Sequence, residues 1–599
     1  MKRVDVLTQK SPYKTIRLGS RTGPIFCCAV LLLLFMSDIS AAASPVDPVG
    51  SADRIFRQQE ERQRALEQER MHSAPHGSFE VPQVDIAPVP LNEPCVSIRE
   101  LTILDNTILR QNFLDDLKAE YEQRCLSLEE INNITKRITN EYVARGYITS
   151  RAFIGPQDLQ SGVLFITVVE GTVEKIEPSS GSGIEALQLK SVFPGMSGEI
   201  LNLRDIEQGL DQMNRLPSMN TSMRIEPGEE FGSSIVMIDN EPKKSWRFSA
   251  GTDNHGQRNT GRHQYTLTFE KDNYLGCFDQ FMVTWNSDLH SMFRNVNSRA
   301  NGNSYGFGIY ETIPIGYWTF SFSYNAFSYD NKVYGMADEY TSSGESHTVR
   351  FAADRVLHRD ADSKTSGGIS LTIHNVDNYF EGAYLDTSSY FLSSLGFSLS
   401  HSRRMLGGSL SARVEHRIGV PIFGAEKDWA GSREVNRYTP RREYRKTAFS
   451  VNWYKPFLVG DHAFAWSSNF SAQIAPHTLY GSERFYLGSL YTVRGFEGSP
   501  LGGDQGMLLR NELSWNVPSF SDTLTKIAGP MQLYVGYDIG SIIRDRHDPF
   551  ERGTLQGMAI GLRSYGDLSF GVVFTQALAS PSFVEHKESV LFASIRYTF

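Results

Sequence analysis

From Trp246 to the C-terminus, apolar and polar residues alternate along the chain. Across residues 262–271, His263, Tyr265, Leu267 and Phe269 fall on one side, and Gln264, Thr266, Thr268 and Glu270 on the other. Phe281, Val283 and Trp285 share a face, and Trp318, Phe320, Phe322 and Tyr324 oppose Thr319, Ser321, Ser323 and Asn325. Leu568, Phe570, Val572 and Phe574 repeat the pattern. Leu591, Ala593, Ile595, Tyr597 and Phe599 close the chain in one register. Period-two alternation predicts strands with one apolar face. A soluble sandwich with one wet face alternates too. Here the pattern lasts about 350 residues, carries aromatics near the strand ends and has no other part of the chain to cover it. The reading is a mainly β protein built on an antiparallel transmembrane barrel. About 16 strands are expected, beginning near residues 246, 262, 279, 302, 317, 345, 366, 393, 408, 443, 462, 506, 530, 555, 568 and 590. Even strand numbers are the rule in bacterial barrels.

Residues 95–242 have another texture. Strands are expected at 96–104, 148–154 and 163–169, with a short helix at 114–121. A longer helix opens on a capping box, Ser127-Leu-Glu-Glu130. Its Leu128, Ile131, Ile134, Ile138 and Tyr142 recur at helical spacing, and Arg145-Gly146 ends it. From Thr172 the plan restarts, with strands at 173–177, 221–226 and 234–240 and helices at 184–193 and 203–216. Two small α+β domains, 95–171 and 172–242, thus repeat one architecture without obvious sequence repetition. Each leaves an edge strand that can accept an extended peptide.

The N-terminal region reads as export and linker sequence. Basic residues precede an apolar run at 25–36, and Ala41-Ala42-Ala43 follow, which predicts a secretory signal peptide over residues 1–43. That run is too short to span a bilayer, and no later stretch reaches 18 apolar residues. Residues 51–71 predict a helix capped by Ser51 or Asp53, with Glu60 and Arg64 paired at i,i+4. Only Ile55, Phe56, Ala65 and Leu66 are apolar there, so the helix either bridges solvent or sits in a wet cavity. Residues 72–94, with Pro75, Pro82, Pro88, Pro90 and Pro94, form an extended linker.

Composition narrows the function. A net charge of −9 gives no support for a nucleic-acid partner. Of five cysteines, Cys27 and Cys28 leave with the signal peptide, and Cys277 stands alone. Cys95 and Cys125 flank the first small domain in an oxidising compartment, which predicts a disulfide. No Cys/His group has metal-ligand spacing, so neither a metal nor a cofactor is expected. Gly181-Ser-Gly183 lacks the rest of a dinucleotide fingerprint. Asp545, Asp548 and Glu551 alternate with Arg544 and Arg546 and read as a solvated hairpin. With no catalytic constellation, the chain is not expected to be an enzyme.

One segment does not fit an ordinary hairpin. Residues 475–505, between candidate strands 11 and 12, are too long and too apolar for a disordered loop. Phe485, Tyr486, Leu487, Leu490, Tyr491, Val493 and Phe496 need burial. Arg494, within Val493-Arg494-Gly495-Phe496, needs a carboxylate if the loop folds inward.

In this order, these features resemble the two-partner secretion transporters (TpsB type, the hemolysin secretion/activation proteins). Val169-Glu170-Gly171 at the domain junction, the run Leu201-Asn-Leu-Arg-Asp-Ile-Glu-Gln-Gly-Leu-Asp-Gln-Met-Asn214, Asp253-Asn-His-Gly256 and Thr260-Gly261 add to the likeness. The resemblance implies that 95–171 and 172–242 are periplasmic POTRA domains and that 243–599 is a 16-stranded barrel in outer-membrane lipid. The barrel is expected to be a monomer with no nucleic-acid partner. The resemblance also implies that the polar helix plugs the barrel and that the 475–505 loop folds into the lumen. The loop's arginine should meet the aspartate of a D-x-G motif on strand 13, matched here by Asp538 and Gly540. Alternation, with Leu533, Val535 and Tyr537 outward, independently turns Asp538 inward. In a water-filled lumen such a pair should be worth below about 1 kcal/mol. The terminal aromatics Tyr597 and Phe599 are the implied signal to the barrel-assembly machinery.

The function implied is export of one large exoprotein (TpsA type), captured unfolded by the POTRA domains. Without a P-loop, folding of the exoprotein outside the cell is the expected drive. A barrel-assembly insertase of the same superfamily would carry more POTRA domains and no plug helix. A passive porin would need no periplasmic domains.

Overall fold

The computed structural model describes residues 85–86, 94–257, 260–288, 302–334, 338–428, 438–498, 500–518, 522–543, 552–584 and 589–599. The signal peptide, the plug helix, most of the linker and the Asp545–Glu551 hairpin lie outside these residues.

The first small domain comprises β1 (Cys95–Ile98), β2 (Glu100–Leu104), α1 (Gln111–Tyr121), β3 (Arg124–Ser127), α2 (Leu128–Ala144), β4 (Arg151–Phe153) and β5 (Val163–Val169). β2, β5 and β4 form one sheet with β2 parallel to β5, while β1 pairs with β3. The single strand expected at 96–104 is therefore broken at Arg99, where Arg99 N and Glu100 N both donate to Gly162 O. The two halves pair with different neighbours, and no single strand can serve both. Cys95 and Cys125 are bonded, tying β1 to the strand beside it.

Helix α2 is capped reciprocally: Glu130 N donates to Ser127 Oγ at 3.2 Å, and Ser127 N to Glu130 Oε2 at 2.8 Å. Ile131, Ile134, Ile138 and Tyr142 are buried, but Leu128 in the first turn stays exposed. The strand expected at 148–154 shrinks to β4 because Ile148 packs against the core of the next domain and Ser150 Oγ accepts from Gly171 N at the junction.

The second domain runs β6 (Thr172–Pro178), α3 (Ala186–Val192), α4 (Leu203–Asn214), β7 (Thr221–Pro227) and β8 (Ser233–Asn240), with sheet order β6-β8-β7. Gly146 ends α2 with φ +95°, and its carbonyl accepts from Leu203 N at 2.8 Å, joining α2 to the start of α4. A Cβ at Gly146 would lie 2.5 Å from Asn202 Oδ1, so the position needs glycine twice over.

The remaining strands close into one barrel. They are β9 (Trp246–Asp253), β10 (Gln264–Asp272), β11 (Gln280–Asp288), β12 (Gly302–Ile315), β13 (Trp318–Tyr334), β14 (Glu339–Arg359), β15 (Ser363–Phe380) and β16 (Tyr390–Met405). Then follow β17 (Gly408–Gly419), β18 (Arg445–Val459), β19 (His462–Ile474), β20 (Gly506–Val517), β21 (Met531–Ile542), β22 (Gly553–Ser564), β23 (Leu568–Ala579) and β24 (Ser589–Thr598). The sixteen expected strands are present, all antiparallel, and β24 pairs back onto β9. Leu533, Val535 and Tyr537 are exposed on the outer face, while Thr266, Thr268 and Asp538 are buried inside. Phe570 departs from the expected outer-face exposure. Ala528 of the short helix Asp522–Ala528 packs with it and Met531 in one buried cluster. Among the described residues no helix is long and apolar enough to cross a membrane, so the strands make the crossing.

The second domain is seated on the barrel. Phe278, in the β10–β11 turn, is fully buried in that domain's apolar core. Arg215 Nη2 donates to its carbonyl at 2.8 Å. Ser218 N donates to Asp272 Oδ2 at 3.0 Å, and Gln212 Nε2 to Thr319 Oγ1 at 3.1 Å. Tyr317 donates to Asp205, and Arg359 Nη1 donates to Asp211 Oδ2 at 2.6 Å. Three barrel turns thus hold α4 and its flanks. Cys277, beside Phe278, is a free thiol.

Candidate functional site: the inward loop and its fasteners

The segment between β19 and β20 folds into the barrel. A 3-10 turn at Gly481–Glu483 leads to a short ribbon in which Phe485–Leu487 pairs with Leu501–Gly503. Leu487, Val493, Phe496 and Leu501 join Leu508, Ile542, Leu555 and Ala577 of the inner wall in one apolar cluster. Burial of these side chains helps hold the loop in place, at about 1.5–3 kcal/mol for each large one.

Arg494 sits at the tip of this loop. Its Nε donates to Asp538 Oδ2 at 2.6 Å and its Nη2 to Asp538 Oδ1 at 2.7 Å, a bidentate fork. Arg494 N donates to the same Oδ2 at 3.0 Å, so the backbone is fixed as well as the side chain. Nη1 reaches Glu512 Oε2 at 3.2 Å. Arg494 is 3 % exposed and Asp538 fully buried. The expectation of a water-screened pair is therefore overturned: the apolar loop excludes water from it, and a buried pair costs far more to break.

Glycines make room for the loop. A Cβ at Gly540 would lie 2.7 Å from Leu487 Cδ2 and 2.9 Å from Val493 Cγ2, and one at Gly536 would lie 2.1 Å from Arg494 Nη2. Gly495 has φ +97° and faces the backbone of Gln576 and Ala577 at 2.3–2.6 Å from its would-be Cβ. Sequence reasoning singled out Gly495 and Gly540 and missed Gly536 and also Gly557, whose would-be Cβ meets the Arg494 carbonyl oxygen. Gly536 stands two residues before Asp538, on the same face of its strand, and that spacing was the available signal.

A second fastener at the loop's root was also missed. Glu483 accepts from Lys446 Nζ at 2.6 Å and lies 3.4 Å from Arg417 Nη1, while Lys446 Nζ and Gln473 Nε2 both donate to the Glu483 carbonyl. A third link joins Glu497 to Arg262 Nη2 at 2.8 Å. These partners lie far apart in sequence, and alternation marks them only as inward-facing.

Beside the loop lies a cavity of about 750 Å³. Arg494, Asn511, Asn452 and Ser411 border one part of it, and Arg359 with Asp211 of α4 another. Its wall mixes hydroxyl, amide and ionic groups with Leu410, Trp453, Tyr454 and Tyr565. Among the described residues no cluster of His, Cys, Asp or Glu could hold a metal ion. Tyr597 and Phe599 form an edge-to-face pair with centroids 4.6 Å apart at the end of β24, and Phe599 also contacts Phe248 of β9.

A closed sixteen-stranded barrel, two α+β domains seated before it and an inward loop held by an arginine define an outer-membrane transporter of the two-partner secretion class. Residues 232–564 match the family of haemolysin secretion/activation proteins ShlB/FhaC/HecB, residues 77–171 a ShlB-type POTRA domain and residues 172–227 a POTRA domain. The chain belongs to that family. It is 33 % identical to the outer membrane transporter CdiB of Escherichia coli over 88 % of this chain and 86 % of that one. It is 32 % identical to the hemolysin transporter protein ShlB of Serratia marcescens over 76 % and 77 % of the two chains. The structure of CdiB from Escherichia coli superposes with a TM-score of 0.84 at 31 % identity, covering 93 % of this chain and all of that one. The barrel therefore lies in the outer membrane with its POTRA domains in the periplasm.

Proposed function

We propose that this transporter exports a single large exoprotein that its two POTRA domains capture in the periplasm, and that the Arg494 loop closes the route until the exoprotein engages. The observation that carries the reading is the loop's position. It is fastened inside the barrel at Asp538, beside a cavity that α4 of the second POTRA domain also borders. The open sheet edges of both domains can take an extended segment by strand addition, and α4 lies at the cavity's edge to pass it on. The polar helix at 51–71 is read as a plug whose charged faces suit such a lumen, and the barrel-assembly machinery as the reader of Tyr597 and Phe599. The chain performs no catalysis in this scheme, and folding of the exoprotein outside the cell supplies the drive.

The test removes residues 95–171 in cells that also make the exoprotein this transporter exports. The expected result is exoprotein retained in the periplasm, with the barrel still folded and heat-modifiable. Undiminished secretion would overturn the capture role. Ion conductance as the sole surviving property of the intact protein would favour a porin.

A further inference from the structure

The acid that holds the loop's arginine already has a second cation beside it. Arg510 of β20 is the direct cross-strand partner of Asp538 on β21, a spacing at which a long side chain readily reaches its neighbour. Its Nε lies 3.6 Å from Asp538 Oδ1, while its Nη1 is engaged by the loop, donating to Tyr491 O at 2.6 Å. Glu512 is shared in the same way: Arg494 Nη1 at 3.2 Å and, closer, Arg563 Nη2 of β22 at 2.6 Å.

With the loop in place, three guanidinium groups (Arg494, Arg510, Arg563) face two carboxylates (Asp538, Glu512). Withdrawal of Arg494 leaves two of each, all on the barrel wall. The departing loop admits lumen water to Asp538, but the carboxylate still loses its bidentate partner, and Arg510 is the cation already beside it that can replace that partner. Here departure also frees Arg510 from the Tyr491 carbonyl, letting its guanidinium turn fully onto Asp538.

We infer that Arg510 is a positioning residue that takes over Asp538 when the Arg494 loop withdraws, with Arg563 retaining Glu512, so that the emptied wall is charge-balanced and the loop can return. This rests on the reading that the loop moves during export. The latch is then an exchange of partners on a fixed acid. The closed form carries the surplus positive charge, and the open form carries none.

The experiment is a mutant cycle on the full-length protein in detergent, read as the midpoint of heat-modifiable migration. Arg494→Ala and Arg510→Gln should each lower the midpoint slightly, because each leaves Asp538 one arginine. The double variant should lose more than the sum of the two shifts. Arg510→Lys in the Arg494→Ala background should recover most of that loss. If the double variant does not assemble, adding Asp538→Asn should restore assembly, since no bare carboxylate remains. Additive shifts, or a failure of Asp538→Asn to restore the double variant, would overturn the inference. No exoprotein enters this measurement, so its outcome is separate from that of the secretion test.

Discussion

Gly557 and Arg494 meet backbone to backbone: a Cβ on Gly557 would lie 1.6 Å from the Arg494 carbonyl oxygen. The loop tip is pressed against β22 as closely as two chains can pack. Neither atom belongs to a flexible side-chain end, so the contact cannot adjust by rotamer change. Gly557→Ala should therefore dislodge the loop while leaving the strand register of β22 intact. The expected outcome is a barrel that assembles normally but shows raised ion conductance in planar bilayers. Unchanged conductance would show that the tip tolerates displacement.

Arg494→Ala should abolish or sharply reduce secretion while the barrel remains in the outer membrane. Removing one partner of a buried ion pair costs about 3–5 kcal/mol, but Arg510 stays beside Asp538 at 3.6 Å, so the loss of stability should fall well below that range. Exoprotein in the medium and heat-modifiable migration of the barrel, measured on the same cells, separate the two effects. Disappearance of the barrel itself would contradict a fastening role.

Phe278 is a barrel residue in the core of another domain, fully buried among Phe193, Met213 and Leu216. Phe278→Ala should weaken the seating of the second POTRA domain by about 3–5 kcal/mol. The connection between domain and barrel contains Lys243 and Lys244, so trypsin should cut there faster in the variant. Equal cleavage rates would mean that the polar contacts of Arg215 and Ser218 suffice.

Glu170, at the junction of the two POTRA domains, carries a pH dependence of definite sign. Partial burial pushes its pKa up, but bonds from Thr107 Oγ1 (2.6 Å), Tyr142 OH (2.5 Å) and Thr107 N (2.7 Å) outweigh this and hold the carboxyl below its ordinary value. A pKa lowered by folding contributes stability that is fully present above the unfolded value, about 4.3. That stability is lost as pH falls through the folded value. The first POTRA domain should accordingly become pepsin-sensitive in that acid window. Glu170→Gln should raise its sensitivity at pH 5 and flatten the pH dependence. A variant as acid-dependent as the parent would place the titrating group elsewhere.

Much of this was legible in the sequence because it depends on period and on local chemistry. Alternation in 262–271 or 318–325 assigns each residue to lipid or lumen whatever its neighbours are, and sixteen such runs define the barrel. Ser127 and Glu130 are three residues apart and cap their helix without outside help. Asp538 could be turned inward by counting from Leu533, Val535 and Tyr537. What the period could not supply was which inward residues meet. Glu483, Lys446 and Arg417 come from the loop, β18 and β17, and only barrel closure brings them together. Gly536 and Gly557 look like ordinary strand glycines until a loop lies across them. The break at Arg99, the shortened β4 and the capture of Phe278 by a neighbouring domain follow from packing between segments distant in the chain. The sequence alone thus determined most of the elements and the face most barrel residues take, because those depend on neighbours a few residues away. The partners of Arg494, the water-free setting of its ion pair and the seat of the second POTRA domain were decided by tertiary structure, because each needs surfaces that exist only once the barrel has closed.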